Sequence, residues 1–188
     1  VFNQPRLLAA DDATLEQVKY WRHAVLSHLR WQGKPRFLNK HTGFPRTDYL
    51  RRIFPDAFFI HVVRDGRAVA NSYMNVDFWD GTLDGCWHWG PMPADYKREF
   101  ESFNREPIAL AGILWKHLMS LIHQAWGRVP ECQRIEVNYS DFVASPQDTM
   151  MRVTDFCELA SSSKFNKRLA AVKVHDADTK WKNDLNDS

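Results

Sequence analysis

The stretch Phe58-Phe59-Ile60-His61-Val62-Val63-Arg64-Asp65-Gly66-Arg67-Ala68-Val69-Ala70-Asn71-Ser72 decides the fold. Its first six residues are almost continuously apolar and rich in aromatic and β-branched side chains. Such a run reads as a parallel strand buried on both faces. Arg64-Asp65-Gly66 breaks it, and from Arg67 to about Asn75 the pattern is helical. A strand, a short polar turn and a helix form the front half of a βαβ unit.

Residues 134–139 alternate, with Ile135, Val137 and Tyr139 on one face and Glu136 and Asn138 on the other, which predicts a second strand. Upstream, Thr14 and Gln17 make a capping box. Leu15, Val18, Trp21, Val25, Leu26 and Leu29 then recur at helical spacing, so a helix is expected over about 14–30, stopped by Gly33 and Pro35. The short run 36–41, Phe37-Leu38 between polar residues, reads as a strand, and 48–54 as a helix ended by Pro55.

Residues 77–105 read as irregular, ending in a charged run over 95–101. Pro107 suits the first position of a helix. Ile108, Ala111, Leu114, Trp115, Leu118, Ile122 and Trp126 would form its buried stripe. Ser145-Pro146 reads as an N-cap with proline behind it, opening a helix over about 146–158. A short helix near 164–172 and a polar tail follow. Helices and short strands alternate throughout. The expected class is α/β, a mainly parallel sheet flanked by helices, in a single domain over 1–188.

Composition narrows the function classes. The chain has 188 residues, 44% of them hydrophobic and 26% charged, which is ordinary for a globular protein and excludes a disordered or collagen-like chain. No apolar run approaches the ~18 residues of a membrane span. With 25 basic against 23 acidic residues, the net charge of +2 lacks the basic excess of a general nucleic-acid binder. Cys86, Cys132 and Cys157 are odd in number and widely spaced, so no disulfide framework is expected and a reducing, cytoplasmic location is favoured. No HExxH or Cys/His cluster suggests a metal site. The oligomeric state is not encoded in any pattern here.

Ligands of open α/β sheets bind beyond the carboxyl ends of the strands. Arg64 takes that position after the first strand, and Ser72 follows eight residues on. An arginine, a hydroxyl and the free amides of a helix N-terminus together suit a phosphate. The alternative is that Arg64 pairs with Asp65 or a neighbouring acid and that Ser72 is a small helix-packing residue. Neither GxxxxGK[ST] nor GxGxxG occurs, which sets aside the P-loop kinases and the dinucleotide-binding fold.

The segment from His61 to Ser72 resembles the 3′-phosphate-binding segment of the sulfotransferases, which use 3′-phosphoadenosine 5′-phosphosulfate (PAPS). Three other segments agree in order. Lys40 stands 24 residues before Arg64, between Phe37-Leu38 and Phe54-Pro55-Asp56, and is similar to the family's strand-end lysine. Val137-Asn138-Tyr139-Ser140-Asp141-Phe142, followed by Ser145-Pro146, resembles its VRYEDL segment. Lys180-Trp181-Lys182-Asn183-Asp184-Leu185 resembles its C-terminal W-K-x-x-L segment. The likeness spans about 36–185.

The resemblance implies a P-loop-like sulfotransferase fold and a PAPS-dependent enzyme. It would move a sulfuryl group to a hydroxyl or amine of a carbohydrate, lipid or small-molecule acceptor. Arg64 and Ser72 would hold the 3′-phosphate, Tyr139 would contact the adenine, and Lys40 would offset charge on the leaving oxygen. The family often shows Lys-x-His. Here His41 directly follows Lys40, and is the candidate base, with Asp48 or a residue of the Trp-rich segment as alternatives. That segment, with Phe78, Trp79, Trp87, His88 and Trp89, would either bind a sugar or lipid acceptor or cover the core.

Two family elements find no counterpart. Residues 1–35 show no Gly/Ser/Thr-rich loop for the 5′-phosphosulfate, and Val174-His175-Asp176 stands where an RKG-like element is expected. Lys173 or Lys180 would be a substitute source of charge. The chain therefore reads as N-terminally truncated, lacking the first strand and loop, with Val1 a cut edge. A eukaryotic source with an anchor ahead of Val1 would place it in the Golgi lumen. The alternative function is a non-catalytic fragment that binds an adenosine 3′-phosphate nucleotide or a protein partner.

Overall fold

The computed structural model describes residues 7–83, 87, 91–175 and 177–184. By its contacts the chain divides into two compact units: Val1–Ala57 with Leu118–Gln133, and Phe58–His117 with Arg134–Ser188.

In the first unit a 3₁₀ turn, Ala10–Asp12, precedes α1 (Leu15–Gln32) and α2 (Thr47–Ile53). The expected capping box opens α1. Thr14 Oγ1 accepts from the Gln17 amide at 3.2 Å, and the Thr14 amide donates to Gln17 Oε1 at 3.2 Å. Gly33 ends the helix at φ 61°, a left-handed conformation that glycine adopts without a Cβ penalty. Leu8, Ala13, Tyr49 and Ile53 form the buried cluster, with Val18, Trp21, Leu50 and Phe54 packed on it. Arg22 Nε donates to the Ile53 carbonyl at 2.6 Å, satisfying one of the open carbonyls at the end of α2.

Residues 36–41 do not form the expected strand. A strand is held by hydrogen bonds to a neighbour, and among the described residues the sheet contains β1 and β2 alone. Two adjacent apolar residues did not indicate a buried face either: Leu38 is 85% exposed.

In the second unit β1 (Phe59–Val63) pairs in parallel with β2 (Arg134–Asn138), in a register running from Phe59 opposite Arg134 to Val63 opposite Asn138. The parallel α/β reading holds. The expectation that β1 is buried on both faces does not, since Val62 is 60% exposed. A continuous apolar run cannot distinguish cover on one face from cover on two. β2 keeps its alternation, with Val137 buried and Glu136 and Asn138 exposed. Tyr139, expected to end the strand, instead opens the next helix.

α3 (Gly66–Tyr73) follows β1 directly, capped by Asp65. The stretch expected to be irregular contains a helix, α4 (Ala94–Ser102). Its charged residues lie on the outer side while Phe100 is buried, so the dense charge hid a helical period. α5 (Pro107–Trp126) starts at the predicted proline; residues 107–117 count with the second unit and 118–126 with the first. Leu110, Ala111, Ile113 and Leu114 are buried, and each large side chain contributes about 1.5–3 kcal/mol.

β2 leads into α6 (Tyr139–Ala144), α7 (Pro146–Phe156), α8 (Ser163–Ala170) and the short α9 (Trp181–Asp184). Ser145 holds the N-cap position of α7, but its side chain makes no capping hydrogen bond. Pro146 at the first position and Asp148 in the first turn supply the start signal there.

Trp79, Leu83, Trp87, Met92 and Tyr96 pack against the buried cluster of Phe100, Leu110 and Ile113. Of the two readings of the Trp-rich segment, these side chains follow the core-covering one. Phe78 is 74% exposed. His88 and Trp89 lie outside the described residues.

Candidate functional site

The turn after β1 is built by three consecutive residues with separate tasks. Gly66 opens α3 because the Trp115 ring lies on it: a Cβ built there would stand 2.8 Å from the indole Cδ2. Asp65 caps the helix, its Oδ1 accepting from the Arg67 amide at 2.8 Å. The same carboxylate receives Arg67 Nη2 at 2.6 Å. The Arg67 hydrogen bond holds the Asp65 carboxyl below the usual carboxylate range, and the carboxylate in turn raises the guanidinium. The Arg67 amide is thus already engaged, so the helix N-terminus offers fewer open donors than the sequence suggested.

Arg64, the third residue, pairs with an acid, though not with Asp65. Its Nε donates to Asp178 Oδ1 at 3.0 Å and its Nη2 to the Ala177 carbonyl at 2.7 Å. The Arg64 and Asp178 side chains are 25% and 17% exposed. The guanidinium also lies over the Tyr139 ring, 4.6 Å from its centroid, a cation–π contact. The fold therefore brings Arg64 and Tyr139 together.

Ser72 is exposed and lies in the last turn of α3. At about 1.5 Å per residue it is about 9 Å along the axis from Gly66, and it makes no contact with Arg64 among the hydrogen bonds of the described residues.

Lys40 and His41 belong to the first unit, in the irregular segment before α2. Both are exposed by area. Asn39 Nδ2 and His41 Nε2 are 3.1 Å apart. Surrounding protein, then the Arg46 charge, holds the His41 imidazole below its ordinary value. A neutral imidazole near pH 7 is the form that accepts a proton. Asp48, the alternative base, receives Arg128 Nε at 2.8 Å and Nη2 at 2.7 Å.

Sequence reasoning missed the clasp around Arg64. Asn71, buried in α3, donates through Nδ2 to Asp184 at 2.8 Å. Arg67 lies over the Trp181 ring at 4.2 Å. Lys180, a suggested source of charge for the ligand, is 3.7 Å from Asp184 instead. The Lys-Trp-Lys-Asn-Asp segment was visible in the sequence, but nothing there paired it with residues more than a hundred positions earlier.

Comparison with known proteins gives this geometry a family. The profile of the sulfotransferase family matches residues 3–163. The chain belongs to the sulfotransferase family. Among solved structures it is similar to the "Sulfotransferase Domain from the Curacin Biosynthetic Pathway", with 19% identity and a TM-score of 0.54, over 83% of this chain. At that identity the likeness shows a shared fold. This chain spans about half, 49%, of that domain. No curated protein matches the sequence. Among the described residues of this sulfotransferase-family chain, no helix is long and apolar enough to cross a membrane. No group of three or more His, Cys, Asp or Glu side chains is placed to hold a metal.

Proposed function

We propose that the chain takes part in sulfuryl transfer from PAPS to a hydroxyl or amine of a carbohydrate, lipid or small-molecule acceptor, with its second unit holding the nucleotide. The observation that carries this reading is Arg64. It follows β1 directly, rests on the Tyr139 ring, and turns two N–H donors toward oxygen atoms. A guanidinium that presents Nε and Nη2 to a carboxylate oxygen and a carbonyl has the donor set that takes two oxygens of a phosphate. Membership of the sulfotransferase family supports the same assignment.

In this reading Arg64 and Ser72 bind the 3′-phosphate and Tyr139 contacts the adenine. The acceptor oxygen or nitrogen attacks sulfur, the bond from sulfur to the bridging oxygen breaks, and adenosine 3′,5′-bisphosphate leaves. Lys40 offsets the negative charge that grows on the leaving oxygen. His41 takes the acceptor's proton, a task for which a lowered imidazole pKa keeps it ready at neutral pH.

The test is release of adenosine 3′,5′-bisphosphate from PAPS across a panel of sugar, lipid and phenolic acceptors. Acceptor-dependent release that falls at least a hundredfold in Lys40→Met supports the reading. Nucleotide binding with no transfer to any acceptor leaves the non-catalytic alternative. Turnover unchanged by His41→Ala removes the base assignment.

A further inference from the structure

Residues 177–184 lie along α3 and its N-terminal turn, and hold it at three points. Asp178 and the Ala177 carbonyl take Arg64. Trp181 stacks under Arg67 at 4.2 Å. Asp184 accepts from the buried Asn71. The anchors on α3, at 67 and 71, are four apart, the spacing of one helix face, and Arg64 stands just ahead of the helix. The segment therefore engages Arg64, the residue that the proposed function gives to the 3′-phosphate.

From this geometry we infer that Asp178 is an internal competitor for the donor nucleotide, and that 177–184 is a strap that anion binding at Arg64 displaces. The inference rests on the nucleotide reading of Arg64. Two of the arginine's donors are spent on the strap, Nε on Oδ1 and Nη2 on a carbonyl. A phosphate cannot take the same two N–H groups until those oxygens leave. A singly charged carboxylate is a weaker partner for a guanidinium than a phosphate dianion. The exchange therefore favours ligands carrying a terminal phosphate over those carrying only a sulfate or carboxylate. Asp178 sets the threshold of that discrimination, and Arg67, Trp181, Asn71 and Asp184 set how readily the segment lifts.

The experiment is calorimetry of the full chain with adenosine 3′,5′-bisphosphate, comparing wild type, Asp178→Asn and Arg64→Ala. A second measurement follows hydrogen exchange of 177–184 with and without saturating nucleotide. The inference expects Asp178→Asn to bind about five- to tenfold tighter than wild type. It also expects exchange across 177–184 to rise when nucleotide binds. Equal or weaker binding by Asp178→Asn overturns it, weaker binding meaning that Asp178 merely positions Arg64. If that variant does not fold, exchange in wild type that stays level or falls on binding overturns it alone. Failure of the underlying reading looks different: Arg64→Ala then binds as well as wild type, or wild type gives no binding heat.

Discussion

The Trp115 ring occupies the space that a side chain on Gly66 would need, with Cδ2 and Cε3 both 2.8 Å from a Cβ built there. This close approach explains the glycine in Arg64-Asp65-Gly66 better than any need for unusual torsions. Gly66→Ala forces the indole or the start of α3 to shift, at a cost of about 1–3 kcal/mol. Denaturant melts should show that loss, and the loss should shrink when Trp115→Leu is also present. Equal losses in both backgrounds would disconnect the two residues.

The capping role of Asp65 gives a second prediction. Its carboxyl is held below the usual carboxylate range by the Arg67 hydrogen bond. A depressed folded pKa adds stability that is present above the unfolded value and disappears as pH falls through the folded one. Asp65→Ala should cost about 1 kcal/mol at pH 7. The difference from wild type should narrow only when pH drops below about 4. Urea titrations at pH 7, 5 and 3 measure this directly. A gap that stays constant to pH 3 would show that Asp65 acts by packing and not by charge.

His117 behaves in the opposite sense to a histidine gaining a partner. Its ring stacks near Trp87 at 5.3 Å and meets Tyr96 edge-on at 5.4 Å. Burial lowers its pKa from 6.5, with Asp95 opposing weakly. The unfolded chain therefore binds this proton more readily. The contribution is complete above pH 6.5 and is lost as pH falls from there toward the lowered folded value. Wild type should lose stability between pH 7 and 5, and His117→Phe should lose less. Identical slopes for the two proteins would remove His117 as the source.

If His41 is the base, its lowered pKa should appear in the rate. The acidic limb of kcat/KM should fall below pH 6.5. Arg46→Gln removes the second cause of the shift and should move that limb upward, while burial, the larger cause, keeps it from rising far. A limb that does not move in Arg46→Gln argues for a different titrating group.

Much of the fold was legible because its signals were local. The Thr14–Gln17 box, Pro107 and the alternation of Ile135 and Val137 each announced an element that the structure contains. Legibility failed where tertiary contacts decide. Nothing in Phe37-Leu38 says whether a neighbouring strand exists, and the acids and bases of 95–101 hid the inward face formed by Tyr96 and Phe100. The same limit applies at the site. Arg64 stood out because a strand end is a recognisable place, and its contact with Tyr139 follows from parallel pairing of β1 with β2. Asp178 was not foreseeable, since an acid 114 residues away carries no local mark of its partner.

The proposed nucleotide site stands or falls with Arg64 as the partner of the 3′-phosphate. Calorimetric titration of the full chain with adenosine 3′,5′-bisphosphate, wild type against Arg64→Ala, tests it most directly. Hydrogen bonds to charged groups contribute about 1.5–3 kcal/mol each, so the account predicts saturable wild-type binding that weakens at least tenfold in Arg64→Ala. Equal affinity of the two proteins would contradict it.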